Sequence, residues 1–221
     1  MAGPMPNRQY VIDGAAGNIE VAIATPDTES FLGRAAIAVV AHPHPLFGGT
    51  MDNKVVTTLA RSFYDLNAAV VRFNFRGIGQ SMGVHDEGRG ETDDLITVVE
   101  HARGEFGTDL PLWLAGFSFG GAVALKATER VNCDQMVLVA PAFKRLATWA
   151  EQLPGKNSGC KPPERTVLIH GELDETVPLA DSFVWARDHD VAVFVVPGAD
   201  HFFHRKLHHI KDATTRLCRP L

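Results

Sequence analysis

The sequence predicts an α/β protein with a mostly parallel central sheet, helices on both faces of that sheet and an antiparallel hairpin at its N-terminal edge. From residue 35 onward, apolar runs of strand length alternate with stretches of helix length. This alternation is typical of parallel strands connected by helical crossovers. Residues 9–13 and 18–25 resemble two strands, and the turn sequence Gly-Ala-Ala-Gly between them favours a hairpin.

Each remaining element follows from its own local signal. Short apolar runs predict buried strands at residues 35–41, 68–75, 112–115, 135–139, 166–169 and 191–196. Longer stretches of helix formers predict helices at residues 53–66, 91–106, 122–130, 179–188 and 204–217, and one short helix at 146–152. Asp52 stands where a side chain would cap the first of these helices. Because ligands of such sheets bind at the carboxyl ends of the parallel strands, the loops that follow the strands are where we expect the chemistry.

The composition of the chain bounds its size class and its partners. The 221 residues, 45 % of them hydrophobic, are enough for one domain with a substantial core. We expect this domain at residues 9–221, after a flexible segment at 1–8. A net charge of -5 provides no electrostatic footprint for nucleic acid or an anionic membrane. No apolar run approaches the ~20 residues that a membrane helix needs.

The N-terminal residues and the cysteines favour a cytoplasmic protein. The first residues lack the charged and apolar regions of a secretory signal peptide. Cys133, Cys160 and Cys218 are an odd number without metal-ligand spacing, which fits a reducing compartment. No long exposed apolar helix or edge stands out, so we expect a monomer.

The clearest chemical motif is Gly-Phe-Ser-Phe-Gly at residues 116–120, between a predicted strand and a predicted helix. A serine in such a turn adopts a strained backbone conformation, and side chains two positions away on either side would collide, so both positions need glycine. The turn presents the Ser118 hydroxyl at the positive end of the following helix. The motif therefore predicts a nucleophile, and a glycine-rich turn without chemistry is the alternative interpretation.

A serine hydroxyl is a weak nucleophile at pH 7, and it needs a base whose tautomer is held by an acid. Among ten histidines, His201 is the best placed base, because Gly-Ala-Asp-His-Phe-Phe follows the last predicted strand. The acid should leave the preceding strand, where Asp174 is our choice over Glu172 and Glu175. A helix-capping aspartate is the alternative for that residue. His170, at the end of the same strand, is expected to be structural.

A tetrahedral oxyanion needs two hydrogen-bond donors. We expect one to be the N–H of Phe119, the residue after the serine. The other should come from the loop His-Pro-His-Pro-Leu-Phe-Gly-Gly at residues 42–49. Its prolines have no N–H, which leaves three candidates, and we favour Leu46 over His44 and Phe47.

Two histidine pairs offer a metal site as the rival interpretation. His42 and His44 flank a proline, and His204 and His208 are four residues apart in the last predicted helix. Neither pair has the carboxylate or cysteine ligands that usually accompany histidine in a metal site. We therefore expect no metal and no cofactor, and a supporting role for the first pair in the oxyanion loop.

These sequences together resemble the α/β-hydrolase superfamily. Gly-Phe-Ser-Phe-Gly-Gly, Gly-Glu-Leu-Asp-Glu-Thr-Val-Pro and Gly-Ala-Asp-His-Phe-Phe follow its order of serine, acid and histidine. His-Pro-His-Pro-Leu-Phe-Gly-Gly-Thr-Met-Asp-Asn-Lys and Phe-Asn-Phe-Arg-Gly-Ile-Gly-Gln-Ser are similar to small, lidless bacterial serine hydrolases described as dienelactone-hydrolase-like. The resemblance covers residues 9–209 and implies an α/β-hydrolase fold with Ser118 as nucleophile, Asp174 as its acid and His201 as its base.

The chain departs from that pattern in two places. His42-Pro43 stands where many members of the superfamily have His-Gly, which affects the choice of oxyanion donor. Dienelactone hydrolases usually carry a cysteine nucleophile, whereas this chain has Ser118, so their substrate is not carried over. Arg76, in the glycine-rich loop after the strand at 68–75, is expected to anchor that loop rather than contact substrate.

The predicted function is hydrolysis of a small or short-acyl carboxylic ester through an acyl-enzyme. Residues 142–164 are too few and too polar for a helical lid, so we expect an open site. Thioesterase, acyltransferase and amidase or peptidase activities use the same groups, and a non-catalytic binding protein on this scaffold is a further alternative. Aromatic residues that could line the site, with core packing as their alternative role, are Phe47, Phe117, Phe119, Phe143 and Trp149.

Overall fold

The central element of the computed structural model is one eight-stranded sheet, and the structure describes residues 5–26, 35–145 and 160–218. The strands run in the order β1-β2-β4-β3-β5-β6-β7-β8. Strands β3 to β8 are parallel, while β1 and β2 form an antiparallel hairpin whose second strand pairs with β4. The strands are β1 (Arg8–Ile12), β2 (Ile19–Ala24), β3 (Ala36–Ala41), β4 (Ala68–Phe73), β5 (Leu112–Phe117), β6 (Gln135–Val139), β7 (Thr166–Gly171) and β8 (Val193–Val196). The predicted α/β architecture is confirmed.

Helices cover both faces of the sheet, because alternate residues of the parallel strands point to opposite sides. On β3, Val39 belongs to one apolar cluster and Val40 to the other. The first cluster includes side chains of α2 and α3, and the second includes side chains of α1 and α5. The helices are α1 (Lys54–Asp65), α2 (Arg89–Phe106), α3 (Phe119–Ala127), α4 (Leu179–His189) and α5 (Leu207–Leu217), with a 3-10 turn at Pro45–Phe47.

Helix starts differ from the sequence prediction where tertiary contacts intervene. Asn53 caps α1, with its side-chain oxygen accepting from the Val55 N–H at 2.9 Å. Asp52, the predicted cap, instead pairs with Arg72 at 2.8 Å. The last helix begins at Leu207 rather than at residue 204. The short helix predicted at 146–152 lies outside the described residues.

The sheet places the loops of interest at one edge. The loops after β3, β5, β7 and β8 all leave the carboxyl ends of parallel strands, where ligands bind in open α/β sheets. Strand β5 lies between β3 and β6, so the turn that follows it is central. Within the three described ranges, no helix has the length and apolar character that a bilayer crossing requires.

Candidate active site

Ser118 occupies a strained turn between β5 and α3. Its φ of 55° and ψ of -116° lie in a region that residues with a Cβ rarely adopt. A Cβ on Gly116 would overlap the carbonyl of Gly120, and a Cβ on Gly120 would overlap the carbonyl of His42. Both glycines are therefore needed for the chain to turn here, as the motif predicts.

The strained turn is held by the neighbouring strand. The Ser118 N–H donates to the Val139 carbonyl at 2.9 Å, and the Ser118 carbonyl accepts from the N–H groups of Gly121 and Ala142 at 3.1 Å each. The side chain is only 7 % exposed, yet it lines a cavity at the sheet edge. The backbone of Ser118 is thus held in position, and the residue is accessible to a small molecule in the cavity.

His201 and Asp174 come together across two loops. His201 Nδ1 lies 2.7 Å from Asp174 Oδ2, and both side chains are buried. Because a carboxylate only accepts hydrogen bonds, His201 carries a proton on Nδ1. The ring packs against Phe117 with centroids 4.8 Å apart, and His201 lines the same cavity as Ser118. Its Nε2 is therefore the ring nitrogen available for proton transfer.

Three hydrogen bonds and a longer contact from a second histidine hold the Asp174 carboxylate. Oδ1 accepts from the N–H groups of Thr176 and Val177 at 2.9 and 2.8 Å. Oδ2 lies 2.7 Å from His201 Nδ1 and 3.3 Å from His170 Nε2. Burial by itself would raise the pKa of Asp174, but the bonds from the two histidines and the Val177 N–H outweigh it and hold the pKa well below its ordinary value. The carboxylate is ionised at neutral pH.

The alternative acids make other contacts. Glu172 accepts from the Gly198 N–H at 2.7 Å and is exposed, and Glu175 is exposed as well. The contact with His201 belongs to Asp174, the residue chosen from the sequence.

His170 has a role that the sequence did not reveal. It is fully buried, with Nδ1 at 2.8 Å from Ser182 Oγ and Nε2 at 3.0 Å from the Val177 carbonyl. Since that carbonyl and Asp174 Oδ2 both only accept, Nε2 carries a proton and the Ser182 hydroxyl donates to Nδ1. The only sequence signal for His170 was its position at the end of a strand. That position predicted a structural role and did not reveal its contact with Asp174.

In the loop after β3, the N–H of Leu46, the predicted oxyanion donor, is engaged within the loop. Its N–H donates to His44 Nδ1 at 3.3 Å, which closes the 3-10 turn, and its side chain is exposed. The N–H groups of Phe47 and Gly49 both donate to the His44 carbonyl. Among the described residues, the His44 N–H has no acceptor within hydrogen-bond distance, so of the three candidates only His44 keeps its donor available.

His42 supports this loop and does not suit a metal. It is fully buried, its Nδ1 donates to the Pro43 carbonyl at 2.6 Å and its Nε2 accepts from the Phe75 N–H at 3.0 Å. Burial lowers its pKa to about 4, so the ring is neutral. Both nitrogens are engaged in hydrogen bonds, which agrees with the expected supporting role.

The second histidine pair does not form on one helix. His204 precedes α5, and its Nδ1 lies 2.6 Å from Asp200 Oδ2. Within the described parts of the chain, no cluster of three or more potential metal ligands occurs.

The cavity beside Ser118 has a volume of about 310 Å³ and a mixed apolar and polar wall. Phe47 lines it and is 82 % exposed, and Phe119 lines it as predicted. Phe117 and Phe143 do not line it, which corrects the prediction for both. The lining residues are Pro43, His44, Phe47, Gly48, Gly49, Asn53, Ser118, Phe119, Ala142, Arg145, Thr176, Val177, His201 and Phe202.

The two corrected phenylalanines have structural roles. Phe117 is fully buried and packs under the His201 ring. Phe143 stacks on Trp185, with ring centroids 4.4 Å apart. Trp149, the remaining predicted lining residue, lies outside the described residues.

Arg76 anchors its loop, as expected. Its guanidinium makes two hydrogen bonds to Asp94, of 3.0 and 2.8 Å, and its own N–H donates to the same carboxylate. Arg145 and Phe202 line the cavity although the sequence singled out neither. The place of Phe202 next to His201 was the one available signal, whereas nothing local indicated Arg145.

The chain is similar to known proteins over most of its length. A family profile described as serine aminopeptidase, S33, matches residues 46–167, more than half of the chain. An α/β serine hydrolase without a lid from Xanthomonas campestris is 34 % identical with a TM-score of 0.84, covering 97 % of this chain and 94 % of its own. An α/β serine hydrolase homologue from Coxiella burnetii is 33 % identical with a TM-score of 0.82, covering 97 % and 99 %.

A more distant structure shares only the fold. Est1E from Butyrivibrio proteoclasticus, solved with ferulic acid bound, is 17 % identical with a TM-score of 0.78 and covers 94 % of this chain and 96 % of its own.

Proposed function

The chain belongs to the α/β-hydrolase superfamily, among its lidless serine hydrolases, and from this premise we propose that it hydrolyses small carboxylic esters. Ser118 is the nucleophile, His201 the base and Asp174 the acid that orients the base. The observation that carries the proposal is the 2.7 Å contact between His201 and Asp174 beside a cavity that Ser118 also lines. This is the set of groups that acyl transfer through serine requires.

The reaction has two steps that use the same groups. The Ser118 oxygen attacks the ester carbonyl while its proton passes to His201 Nε2. The tetrahedral oxyanion then collapses, the bond to the alcohol oxygen breaks, and His201 protonates that oxygen. Water repeats both stages on the acyl-enzyme and releases the carboxylic acid. Asp174 remains ionised and stabilises the imidazolium that forms.

We assign the oxyanion donors to the N–H groups of Phe119 and His44. Phe119 is the first residue of α3, where N–H groups and the helix dipole favour negative charge. The His44 ring packs 4.8 Å from the Phe119 ring, so the β3 loop lies against the turn that carries the serine. The engagement of the Leu46 N–H by the His44 ring is what moves the assignment from Leu46 to His44.

The cavity supports a short acyl group. Its volume of about 310 Å³ is at the low end of small-molecule sites. Phe47 and Phe202, two of its lining residues, are 82 % and 47 % exposed, as expected of an open mouth. Est1E, which shares the fold, binds the small carboxylic acid ferulic acid. We infer a monomer without a cofactor, located in the cytoplasm, where the free thiols of its cysteines suit a reducing environment.

A peptidase is the second candidate, because the matching family profile is described as a serine aminopeptidase. An aminopeptidase must recognise the ammonium group of a free N-terminus, which calls for a carboxylate near the nucleophile. Among the described residues that line the cavity, none is acidic, and Arg145 supplies a positive charge instead. This charge disfavours an ammonium substrate, so we place the ester reaction first.

The test is hydrolysis of p-nitrophenyl acetate, butyrate, octanoate and palmitate by wild-type protein and by Ser118→Ala. We expect kcat/KM to be highest for acetate or butyrate and to fall by about 10³-fold or more in the variant. Retention of most activity by Ser118→Ala would end the assignment, and a rate that rises through octanoate to palmitate would exclude a short-acyl site. A fluorophosphonate probe that labels wild type but not the variant checks the nucleophile independently, and equal thermal unfolding curves exclude a folding defect.

A further inference from the structure

Phe202 is a large apolar side chain that follows the base directly and remains open to solvent. It lines the cavity that contains Ser118, and 47 % of its surface is exposed. The next residue, Phe203, is fully buried in the core. A single exposed apolar side chain is ordinary on a protein surface. What distinguishes Phe202 is therefore its place at the wall of the cavity, beside the base.

The backbone next to Phe202 is held by a tight turn that sends the two phenylalanines to different surroundings. Phe203 has a φ of 54°, which lies in the left-handed region. Its N–H donates to the Asp200 carbonyl at 3.1 Å, and its carbonyl accepts from the Lys206 N–H at 2.8 Å. These bonds fix the turn that leads from His201 to α5.

The Phe202 ring is supported by aromatic neighbours. Its centroid lies 5.1 Å from that of the His201 ring, with the planes at 80°, and 5.9 Å from that of Phe117, with the planes at 74°. Both are the edge-to-face arrangements that aromatic pairs favour. The ring is thus held beside the base while nearly half of its surface remains open to a further partner.

The chemistry of the base places the leaving alcohol near this ring. His201 Nδ1 faces Asp174 at 2.7 Å, so Nε2 must return the proton to the alcohol oxygen. A general acid works from about 3 Å, and the group attached to that oxygen therefore starts next to the His201 ring. The acyl group leaves the same carbonyl carbon in a different direction. Of the two parts of an ester, the alcohol is the one that the mechanism brings to Phe202.

We propose that Phe202 recognises the alcohol part of the substrate, and that the preferred esters combine a short acyl group with an aromatic alcohol. An aromatic ring on the alcohol pairs with Phe202 in an offset or edge-to-face arrangement, which a saturated ring of the same size cannot reproduce. The short acyl group occupies the cavity of about 310 Å³. This inference rests on the proposed esterase function and names its substrate class.

The first test compares two acetates with the same carbon skeleton. Benzyl acetate carries an aromatic ring where cyclohexylmethyl acetate carries a saturated one. Because both form the same acetyl-enzyme, a difference in kcat/KM reports the alcohol alone. We expect wild-type protein to prefer benzyl acetate by about fivefold, as one aromatic pair allows. Phe202→Leu keeps an apolar side chain without the ring, and it should reduce the preference to less than twofold in rates followed by pH-stat.

The second test moves the aromatic ring to the acyl side. Methyl phenylacetate is an isomer of benzyl acetate in which the acid, not the alcohol, carries the ring. A Phe202→Leu protein with a disturbed His201 would process both isomers more slowly by the same factor. Recognition of the alcohol instead predicts a loss on benzyl acetate about fivefold larger than the loss on methyl phenylacetate.

Phe183→Leu is the matched control for these tests. Phe183 lies on α4, is 44 % exposed and does not line the cavity, so the same substitution is made at a phenylalanine of similar exposure. It should leave the preference for benzyl acetate unchanged. Phe47 is the other strongly exposed aromatic residue that lines the cavity. A preference abolished by Phe47→Leu but kept by Phe202→Leu would overturn the assignment to Phe202.

A binding measurement separates this inference from the esterase proposal. Saturation-transfer NMR follows benzyl acetate on Ser118→Ala with and without Phe202→Leu, and we expect severalfold weaker binding in the double variant. Equal efficiency on the two acetates, or an equal loss on the two isomers, would overturn the inference and leave the esterase standing. Phe202-dependent binding without turnover of any ester would support the aromatic contact and overturn the esterase. Neither binding nor turnover would overturn both.

Discussion

His170 Nε2 lies 3.3 Å from Oδ2 of Asp174, the same carboxylate oxygen that lies 2.7 Å from His201 Nδ1. Two imidazoles therefore share one oxygen of the acid, while backbone N–H groups of the following loop occupy the other oxygen. A side chain held from both oxygens has little freedom to rotate. His170 is thus positioned to fix the direction in which Asp174 presents its charge to His201.

We expect His170→Leu to lower kcat by about tenfold, because it removes an N–H group that lies 3.3 Å from the charged carboxylate. KM should stay within twofold, since His170 does not line the cavity. His170→Gln, which keeps a donor on a side chain of similar reach, should recover most of the loss. Steady-state kinetics on p-nitrophenyl butyrate provide the measurement.

Ser182→Ala is the matched control for this prediction. The Ser182 hydroxyl lies 2.8 Å from Nδ1 of His170, the ring nitrogen that does not contact Asp174, so its removal should cost less activity than the loss of the ring. A His170→Leu protein with a lower Tm and an unchanged kcat would show that His170 serves packing alone.

Asp174 should contribute to stability in an acidic window. Its folded pKa is held well below the ordinary value by hydrogen bonds that outweigh its burial, and the unfolded value is about 3.9. The contribution is therefore complete above about pH 4 and is lost as the pH falls towards the folded pKa. The difference in the free energy of unfolding between wild type and Asp174→Asn, measured by urea titration, should be constant from pH 8 to 5 and shrink below pH 4. A difference that stays constant down to pH 3 would contradict this.

His42 should affect the free energy of unfolding in a different pH range, between pH 6.5 and 4. Burial lowers its folded pKa to about 4, whereas an unfolded imidazole titrates near 6.5. Because the unfolded chain binds this proton first, His42 costs stability as the pH falls through that interval, by up to about 3 kcal/mol. His42→Gln should therefore lose less stability on acidification than wild type does. His208, which is exposed on α5, offers the control: His208→Gln should follow the wild-type curve.

The oxyanion assignment can be tested by removing single backbone donors. Replacement of residue 44 by its α-hydroxy acid counterpart exchanges the His44 N–H for an ester oxygen and leaves the side chain in place. We expect kcat to fall by about 10²- to 10³-fold, the usual effect of losing one oxyanion donor. The same replacement at Leu46 should change kcat less than threefold, because that N–H is bound to the His44 ring. A larger loss at Leu46 than at His44 would restore the original prediction.

Local sequence was sufficient for most of the fold. Strands such as β3, at Ala36–Ala41, are continuous apolar runs whose burial on both faces requires that composition. The start of the last helix was predicted three residues too early. Residues 203 and 205 have φ values of 54° and 61°, which lie outside the right-handed helical region, so the helix cannot begin before them.

The candidate site, like the fold, was predictable from the sequence only in part. The strained turn at Ser118 was predictable because its geometry imposes glycine on fixed neighbouring positions. The residues that line the cavity could not be predicted in the same way. Phe117 and Phe143 were expected among them, yet Phe117 packs against the His201 ring and Phe143 stacks on Trp185. An aromatic side chain can pack in the core or line a cavity, and the residue type does not distinguish the two. The positions of the surrounding chain segments decide which of the two occurs.

The sequence by itself determined the α/β class, the order of serine, acid and histidine, and the edge of the sheet at which they meet. Hydrophobic periodicity, the conformational freedom of glycine and the direction of parallel strands are local properties that a linear pattern carries. Three features were decided by tertiary structure alone. His170 and His201 both contact Oδ2 of Asp174, the Leu46 N–H donates to His44 Nδ1, and Arg145 lines the cavity. Each of these depends on side-chain atoms from separate loops meeting within hydrogen-bond distance, and no spacing along the chain encodes such a distance.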